Sequence, residues 1–227
     1  DSVDMGAGDD YVWIKMSDIS SLNMTKLDGG AGTDTLTFKE VTFADNTSLS
    51  MTTAGATNFE ILVGSKAAET IQGDGNANTI HGGMSSIDGA DTIYGNGGND
   101  ILYGHNPEQF SYNGWSNTND KLYGGSGDDQ LYGTGGENII DGGTGSDNLT
   151  GSGGADTFVI RSGDGNADLA NADIITDFED GTDVIGLDGL TFENLTIAQG
   201  TGSNSSHTVI RLTSSGEYLA ILQNVSV

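Results

Sequence analysis

The sequence predicts an all-β fold, a right-handed parallel β-roll that is closed by a β cap at its carboxyl end. Three observations predict it: a nine-residue unit recurs along the chain, its eighth residue is apolar, and glycine is concentrated in its first half. The unit reads GGxGxDxUx, where U is a large apolar residue. Self-similarity at a fixed short period indicates a stack of similar structural units.

The repeat is densest in the middle of the chain. Five copies follow one another from 115 to 159, and two more run from 86 to 103. Two weaker copies occupy 64–81, and two isolated copies lie at 5–13 and 29–37. The eighth residues of these eleven units are Val12, Leu36, Ile71, Ile80, Ile93, Leu102, Leu122, Leu131, Ile140, Leu149 and Phe158. An unbroken apolar column of this kind predicts a single core shared by all units.

The last three residues of a unit predict a short strand, and the first six predict a turn. One apolar residue between polar or aromatic neighbours is the alternation of a strand with one buried face. Glycine permits the positive φ and the close backbone approach that tight turns need. Strands and turns at this period build a flattened solenoid with two units per coil, so the sixth residues of the units form two columns, one on each edge.

The pattern divides the chain into three parts. Residues 1–63 are predicted as degenerate solenoid rungs with isolated repeats, 64–159 as the nonapeptide roll, and 160–227 as the cap. Within the first part, 38–63 departs from the repeat but still alternates like strands, so we expect rungs without a metal there. Breaks at 82–85 and 104–114 interrupt the period and leave the continuity of the stack open.

Composition excludes several classes of function. The 227 residues include 33 Asp and Glu but only 7 Lys and Arg, which gives a formal net charge of −26. Such a chain repels nucleic acid and anionic membrane surfaces. It has no cysteine for disulfides or thiolate metal sites, and no apolar run approaches the roughly 18 residues of a membrane span. The motifs HExxH and GxSxG and the phosphate-binding loop are absent, so we expect no catalytic site.

The regularly spaced acids predict a cation-binding scaffold. Carboxylates stacked at strand spacing repel one another, and one buried aliphatic side chain per unit does not offset the entropy lost in ordering a glycine-rich turn. Calcium fits best, because it takes about six to eight oxygen ligands from carboxylates and backbone carbonyls in a flexible geometry. Magnesium demands strict octahedral geometry, and zinc lacks cysteine or suitably spaced histidine here.

We predict that the calcium ligands are the acids at the sixth position, together with three acids of the cap. The sixth-position candidates are Asp10, Asp34, Asp91, Asp100, Asp120, Asp129, Asp147 and Asp156. The cap candidates are Asp173, Asp177 and Asp183. Glu69, Asn78 and Asn138 replace Asp at this position, and we expect weak or absent sites around 64–81.

These units resemble the repeats-in-toxin (RTX) family, closely over 86–103 and 115–159. The segment ADIITDFEDGTDVIGLDGL at 172–190 is similar to the one that follows the repeats in secreted RTX metalloproteases, lipases and adhesins. The resemblance implies an extracellular bacterial module that stays unfolded in the cytosol, passes through the type I secretion machinery and folds on extracellular calcium. It also implies a larger secreted or surface parent protein, for which we favour an adhesin.

Two other functions stay open. The chain could bind a surface polysaccharide through aromatic residues of the insertion GHNPEQFSYNGW, which contains His105, Phe110, Tyr112 and Trp115. Tyrosines at the ninth position, which are Tyr94, Tyr103, Tyr123 and Tyr132, could form a ligand platform or could stabilise the sheets by cross-strand pairing. Alternatively, the chain is the carboxy-terminal part of a secreted protease, lipase or alginate-modifying enzyme.

Overall fold

The computed structural model describes residues 2–15, 26–39, 47–50, 56–83, 89–105 and 118–227. The strands are β1 (Ser2–Asp4), β2 (Tyr11–Lys15), β3 (Lys26–Asp28), β4 (Thr35–Lys39), β5 (Thr47–Ser50), β6 (Ala56–Thr57), β7 (Ile61–Val63), β8 (Glu69–Gln72), β9 (Thr79–His81), β10 (Thr92–Gly97), β11 (Ile101–Tyr103), β12 (Lys121–Ser126), β13 (Gln130–Tyr132), β14 (Ile139–Thr144), β15 (Asn148–Thr150), β16 (Thr157–Arg161), β17 (Asp173–Ile175), β18 (Val184–Asp188), β19 (Leu195–Gln199), β20 (Thr208–Leu212) and β21 (Tyr218–Leu222). Short 3-10 turns lie at Leu169–Asn171, Phe192–Asn194 and Gly202–Asn204.

Successive strands of the repeat region alternate between two sheets. One sheet has seven strands in the order β18-β16-β14-β12-β10-β8-β5, and the other has eleven in the order β19-β20-β21-β17-β15-β13-β11-β9-β7-β4-β2. A small third sheet joins β1, β3 and β6. Every pairing from β2 to β18 is parallel within the described residues. The predicted all-β parallel β-roll is therefore confirmed.

The pairing register places equivalent repeat positions side by side. Leu131 pairs with Leu149 where five repeats are contiguous, and the coil there spans 18 residues. The two breaks in the period do not interrupt the stack, because β9 pairs with β11 and β10 pairs with β12. The coils across the breaks are longer, at 22 and 29 residues. The ladder is therefore continuous across both breaks in the described residues.

The core is the predicted column of eighth-position side chains. Ten of them have no exposed surface: Leu36, Ile71, Ile80, Ile93, Leu102, Leu122, Leu131, Ile140, Leu149 and Phe158. Val12, in the outermost coil at the amino end, is only partly buried. Strands β5 to β7 join the sheets although 38–63 lacks the repeat, and 40–46 and 51–55 lie outside the described residues.

The carboxyl end closes the roll by reversing strand direction. The parallel stack continues beyond 159, since β17 extends one sheet and β18 the other. The tail at 216–227 supplies β21, which pairs in parallel with β17. Strands β19 and β20 then run antiparallel and finish the eleven-stranded sheet. In the part of the chain described here, no helix is long and apolar enough to cross a membrane.

Candidate metal centre

The turns of the roll form two stacks, which we call the first and second edges. Turns of the first edge lead into the eleven-stranded sheet, and turns of the second edge lead into the seven-stranded sheet. The sixth-position residues of the first edge are Asp10, Asp34, Glu60, Asn78, Asp100, Asp129, Asp147 and Asp173. Those of the second edge are Glu69, Asp91, Asp120, Asn138, Asp156 and Asp183. Every predicted ligand except Asp177 lies in one of these two columns.

A hydrogen-bond ladder runs along each column. Oδ1 of Asp147 accepts the backbone N–H of Asp129 at 2.8 Å, and Oδ1 of Asp129 accepts the N–H of Asp100 at 2.7 Å. On the second edge, Oδ1 of Asp120 accepts the N–H of Asp91 at 2.8 Å. Each carboxylate thereby satisfies a buried backbone donor of the adjacent coil. Sequence analysis assigned these acids only to a metal and missed this role, although residues that repeat once per coil must stack on themselves.

The other carboxylate oxygen points into the turn. The side chains are buried, with exposures of 0% for Asp34 and Asp129 and 1% for Asp100 and Asp147. Five inward Oδ2 atoms of the first edge are buried without a hydrogen-bond partner: those of Asp10, Asp34, Asp100, Asp129 and Asp147. A buried carboxylate oxygen without a partner is costly. These atoms therefore mark positions that a cation would stabilise.

Burial shifts the protonation of these acids strongly. It raises the pKa of Asp100 and Asp147 to about 7 and that of Asp129 to about 6, and the backbone hydrogen bonds oppose this only in part. Burial and the nearby Asp147 raise the pKa of Asp173 to about 8. At neutral pH an ionised column in this environment lacks a compensating positive charge.

Glycine at the fourth position of the repeat lets carbonyl oxygens stack closely between coils. A Cβ atom on Gly127 would lie 1.8 Å from the carbonyl oxygen of Gly98, and one on Gly145 would lie 1.9 Å from that of Gly127. Gly127 and Gly145 have φ values of 129° and 146°, which L side chains rarely adopt. The turns are therefore lined by carbonyl as well as carboxylate oxygens, which are the ligands that calcium prefers.

Glycine at the first position makes room for the inward oxygen of its own unit. A Cβ atom on Gly124 would lie 2.4 Å from Oδ2 of Asp129, and one on Gly142 would lie 2.3 Å from Oδ2 of Asp147. The repeat pattern predicted glycine only for its backbone conformation. The requirement for the first glycine, which comes from the carboxylate five residues later, was not predicted.

A second ladder lies outside the first, at the fifth position of the repeat. Oδ1 of Asp128 accepts the N–H of Ser146 at 3.0 Å, and Oδ1 of Asn99 accepts the N–H of Asp128 at 3.0 Å. These side chains are exposed, unlike their neighbours at the sixth position. They align adjacent turns without contributing to the buried row of oxygens.

Two replacements around 64–81 are satisfied within their own turns. Glu69 reaches back to Ser65, whose N–H donates to Oε2 at 2.9 Å and whose hydroxyl donates to Oε1. Oδ1 of Asn78 accepts the N–H of Asp74 at 3.0 Å. These bonds accord with the expected weakness of calcium sites here, which stays a prediction. Sequence analysis also missed Glu60, whose Oε2 takes the column position and accepts the N–H of Asp34 at 2.8 Å.

The acids of the cap end the columns. Oδ1 of Asp173 accepts the N–H of Asp147 at 3.0 Å, and Oδ1 of Asp183 accepts the N–H of Asp156 at 2.9 Å. Asp177 lies apart from both columns and accepts the N–H groups of Gly151 and Ser152 through its two oxygens. These bonds pair the backbone N–H groups of the last turns of the roll. A metal-binding role for the three acids stays a prediction.

The ninth-position aromatic residues form stacks on the sheet surfaces. Tyr103 lies between His81 and Tyr132, with ring centroids 4.9 and 5.0 Å away. Tyr94 and Tyr123 stack at 4.9 Å on the other sheet. The rings cover one another's faces, as expected for cross-strand stabilisation. Phe110, Tyr112 and Trp115 of the aromatic insertion lie outside the described residues.

Side chains alone do not complete a metal centre. Among the described residues, no group of three or more His, Asp or Glu side chains converges in a way that could hold a metal. A cation at either edge therefore needs backbone carbonyls among its ligands. The paired inward carboxylates of adjacent coils and the stacked glycine carbonyls between them provide such a mixed set.

Comparison with known protein families identifies calcium-binding repeats in the chain. The model of the RTX calcium-binding nonapeptide repeat matches four times, at 55–85, 88–106, 116–140 and 132–166. Among solved structures, the chain is similar to the AlgE6R3 subunit of the Azotobacter vinelandii mannuronan C5-epimerase, with 23% identity and a TM-score of 0.35. That similarity covers 66% of this chain and 72% of the subunit. No curated protein matches the chain.

Proposed function

From the RTX calcium-binding nonapeptide repeats that this chain carries, we propose that it is a calcium-dependent folding module of a larger secreted or cell-surface bacterial protein. The observation that supports this most directly is the row of buried, unpartnered carboxylate oxygens on the first edge. Without a cation, that row opposes folding at neutral pH. Calcium, when bound, supplies the positive charge that the row lacks.

The residues that would hold calcium are the inward oxygens of adjacent coils and the carbonyls between them. On the first edge these are Asp34, Asp100, Asp129 and Asp147, with Asp10 at the amino end. Extracellular modules bind calcium with Kd of about 10⁻⁴ to 10⁻³ M. At a tenfold excess over Kd, each independent site stabilises the fold by about 1.4 kcal/mol. Several sites together are enough to switch a marginal domain between unfolded and folded.

This switch suits export through the type I secretion machinery. The chain would cross the secretion channel unfolded, because cytosolic calcium is too scarce to neutralise the columns. Outside the cell it would fold and stabilise the protein that contains it. An adhesin parent is favoured by the amino-terminal strands β2, β4 and β7, which continue the roll's eleven-stranded sheet.

Circular dichroism in the far ultraviolet tests the proposal. The full chain is freed of calcium by chelation and titrated with calcium, and magnesium serves as the control. We expect a cooperative gain of β signal at sub-millimolar to millimolar calcium and none with magnesium. A complete β spectrum in excess chelator would refute the calcium switch.

Surface polysaccharide remains a secondary candidate partner. Its main support was the aromatic insertion, most of which lies outside the described residues. The stacked tyrosines add little to it, because a sugar stacks on a free ring face and each of these rings has at least one face against another ring. Retention on polysaccharide columns with and without calcium would test this alternative.

A further inference from the structure

We propose that Asn138 closes the carboxyl half of the second edge to calcium, so that calcium is loaded asymmetrically along the roll. The inference rests on the calcium-binding function proposed above. It concerns the stretch from 118 to 183, where turns of both edges can be compared coil by coil. The repeat alone suggests equal edges there, because the nine-residue unit contributes to each edge in turn.

The inward position of the turn is occupied by oxygen on the first edge. At Asp129 and Asp147, Oδ1 is used by the N–H of the adjacent coil, so Oδ2 faces inward. At Asn138, Oδ1 accepts the N–H of Asp120 at 2.9 Å. Its Nδ2 therefore takes the inward position and lies 2.7 Å from where a Cβ atom of Gly133 would be.

The orientation of this amide is fixed by its partners. Turning it over would place the NH₂ group against the N–H of Asp120, and two donors would face each other. In the observed orientation, Nδ2 donates to Oδ1 of Asp156 at 2.9 Å and lies 3.4 Å from the carbonyl oxygen of Gly136. An amide nitrogen in this position has no lone pair for a metal. The two candidate calcium positions between the turn of Asn138 and the turns of the adjacent coils thus each lose an inward oxygen.

The carboxylates on either side of Asn138 accept hydrogen bonds from neutral groups, one of them through its inward oxygen. Oδ2 of Asp120 accepts the hydroxyl of Thr118 at 3.1 Å. Oδ1 of Asp156 accepts both the N–H and the amide of Asn138, at 2.8 and 2.9 Å. On the first edge, by contrast, the inward oxygens of Asp129 and Asp147 have no hydrogen-bond partner. Two inward positions in this half of the second edge therefore differ from those of the first: Oδ2 of Asp120 accepts a hydroxyl, and Asn138 presents a nitrogen.

An asparagine at the sixth position does not always turn its nitrogen inward, as Asn78 demonstrates. There Oδ1 occupies the inward position, 2.4 Å from where a Cβ atom of Gly73 would be, and Nδ2 points towards the carbonyl oxygen of Phe59 at 3.4 Å. At Asn138, by contrast, Oδ1 accepts the N–H of Asp120 and Nδ2 faces inward. An inward nitrogen excludes the side chain as a ligand of a divalent cation, whereas an inward oxygen is only the first requirement, since that of Asn78 already accepts the N–H of Asp74.

Counting bound calcium on the full chain tests the inference. Equilibrium dialysis with radioactive calcium gives the number of ions per chain, and circular dichroism verifies that each variant is folded. Asn138→Asp should bind roughly one to two more ions than the wild type, because an inward oxygen is restored to two positions. Asp129→Asn should bind roughly one to two fewer, because its amide would take the orientation seen at Asn138. Asn119→Asp adds the same charge at an exposed position of the same edge and should leave the count unchanged.

The outcomes separate this inference from the proposed function. A wild-type chain that binds no calcium would overturn both. Calcium binding by the wild type, with an unchanged count for folded Asn138→Asp, would overturn only the closure of the second edge. If Asn138→Asp does not fold, Asn138→Ala decides: an unchanged count supports the inference, and a loss of ions overturns it.

Discussion

The inward carboxylate oxygen determines which residues its own turn tolerates. In the unit from 142 to 150, Oδ2 of Asp147 fills the space into which a side chain at Gly142 would project. Gly153, in the next turn, has open space around its Cβ position and no positive φ. The two glycines are therefore not equivalent: Gly142 holds the first position of its unit, and Gly153 holds the variable third position of the next.

We expect Gly142→Ala to lower the free energy of unfolding by about 1–3 kcal/mol, because the added methyl group displaces the carboxylate and strains the turn. Gly153→Ala is the matched control and should change it by less than about 0.5 kcal/mol. Urea unfolding at saturating calcium measures both. Equal stabilities for the two variants would contradict the steric role of the first glycine.

For single residues, the sequence predicted which positions carry the acids of the columns better than it predicted the contacts that these side chains make. The sixth-position acids could be identified because they recur with the apolar eighth residue. Glu60 could not, because its longer side chain reaches the column from a rung without the repeat. The difference between Asn78 and Asn138 was also inaccessible, since it depends on which backbone donor faces each amide rather than on spacing.

The aromatic stack on the eleven-stranded sheet connects three neighbouring strands. Tyr103 contacts rings on both sides, whereas Tyr132 contacts one. Each such pair contributes about 0.5–1.5 kcal/mol beyond area burial. We therefore expect Tyr103→Ala to cost about twice the pairing energy lost in Tyr132→Ala, with the calcium count unchanged in both. Thermal and urea unfolding at saturating calcium measure the difference, and equal losses would argue against stacking as the stabilising contact.

Arg161 at the end of β16 joins the roll to its cap. Its guanidinium bonds to Asp141, to Asp164 at 3.0 Å and to Asp188 at 3.0 Å. Asp141 and Asp164 are only 5% and 7% exposed, and burial raises the pKa of Asp164 to about 6. The chain thus places a permanent cation, independent of calcium, against the last acids of the seven-stranded sheet.

Removing this guanidinium leaves two buried carboxylates without their main partner. We expect Arg161→Ala to lower the free energy of unfolding, measured in urea at saturating calcium, by about 2–4 kcal/mol. Arg161→Lys should recover only part of this loss, because an ammonium cannot reach three carboxylates in the same planar geometry. Arg211→Ala, on the exposed face of β20, is the control. A loss no larger than that of the control would contradict the assigned role.

The elements of the roll followed from the period, but the cap did not. Alternating turns and strands, their parallel pairing and the buried column were all predicted from the nine-residue unit. Beyond 159 the period stops, and the antiparallel pair β19 and β20 has no local signal that distinguishes it from further rungs. Its position depends on tertiary pairing with β21, which sequence spacing does not encode.

For the molecule as a whole, the buried acids predict an unusual pH dependence without calcium. Burial raises the pKa of Asp100, Asp129, Asp147 and Asp173 to between about 6 and about 8, above the value of an unfolded aspartate. The folded chain then binds more protons than the unfolded chain, so stability is greatest below about pH 4 and is lost as the pH rises through the folded values. His81 acts in the opposite direction, because burial lowers its pKa to about 4, but the acids with a raised pKa outnumber it.

We therefore expect the calcium-free chain to gain β signal when the pH is lowered from 8 to 5, as followed by far-ultraviolet circular dichroism in calcium-free buffer. Neutralising one acid should weaken the effect, so Asp129→Asn serves as the comparison. A calcium-free chain whose β content rises with pH would show that protonated carboxylates do not stabilise the roll.

The unequal coil lengths of the roll have a consequence for how the chain finds its alignment. Where coils span 18 residues, neighbouring repeats are so alike that one coil could slip past another and still bury an apolar residue at every rung. Coils of 22 and 29 residues do not match that step, so a slipped chain would lose its pairing at the two insertions. The two longer coils thereby fix the pairing register, so that a repetitive sequence has one alignment in which every rung is paired.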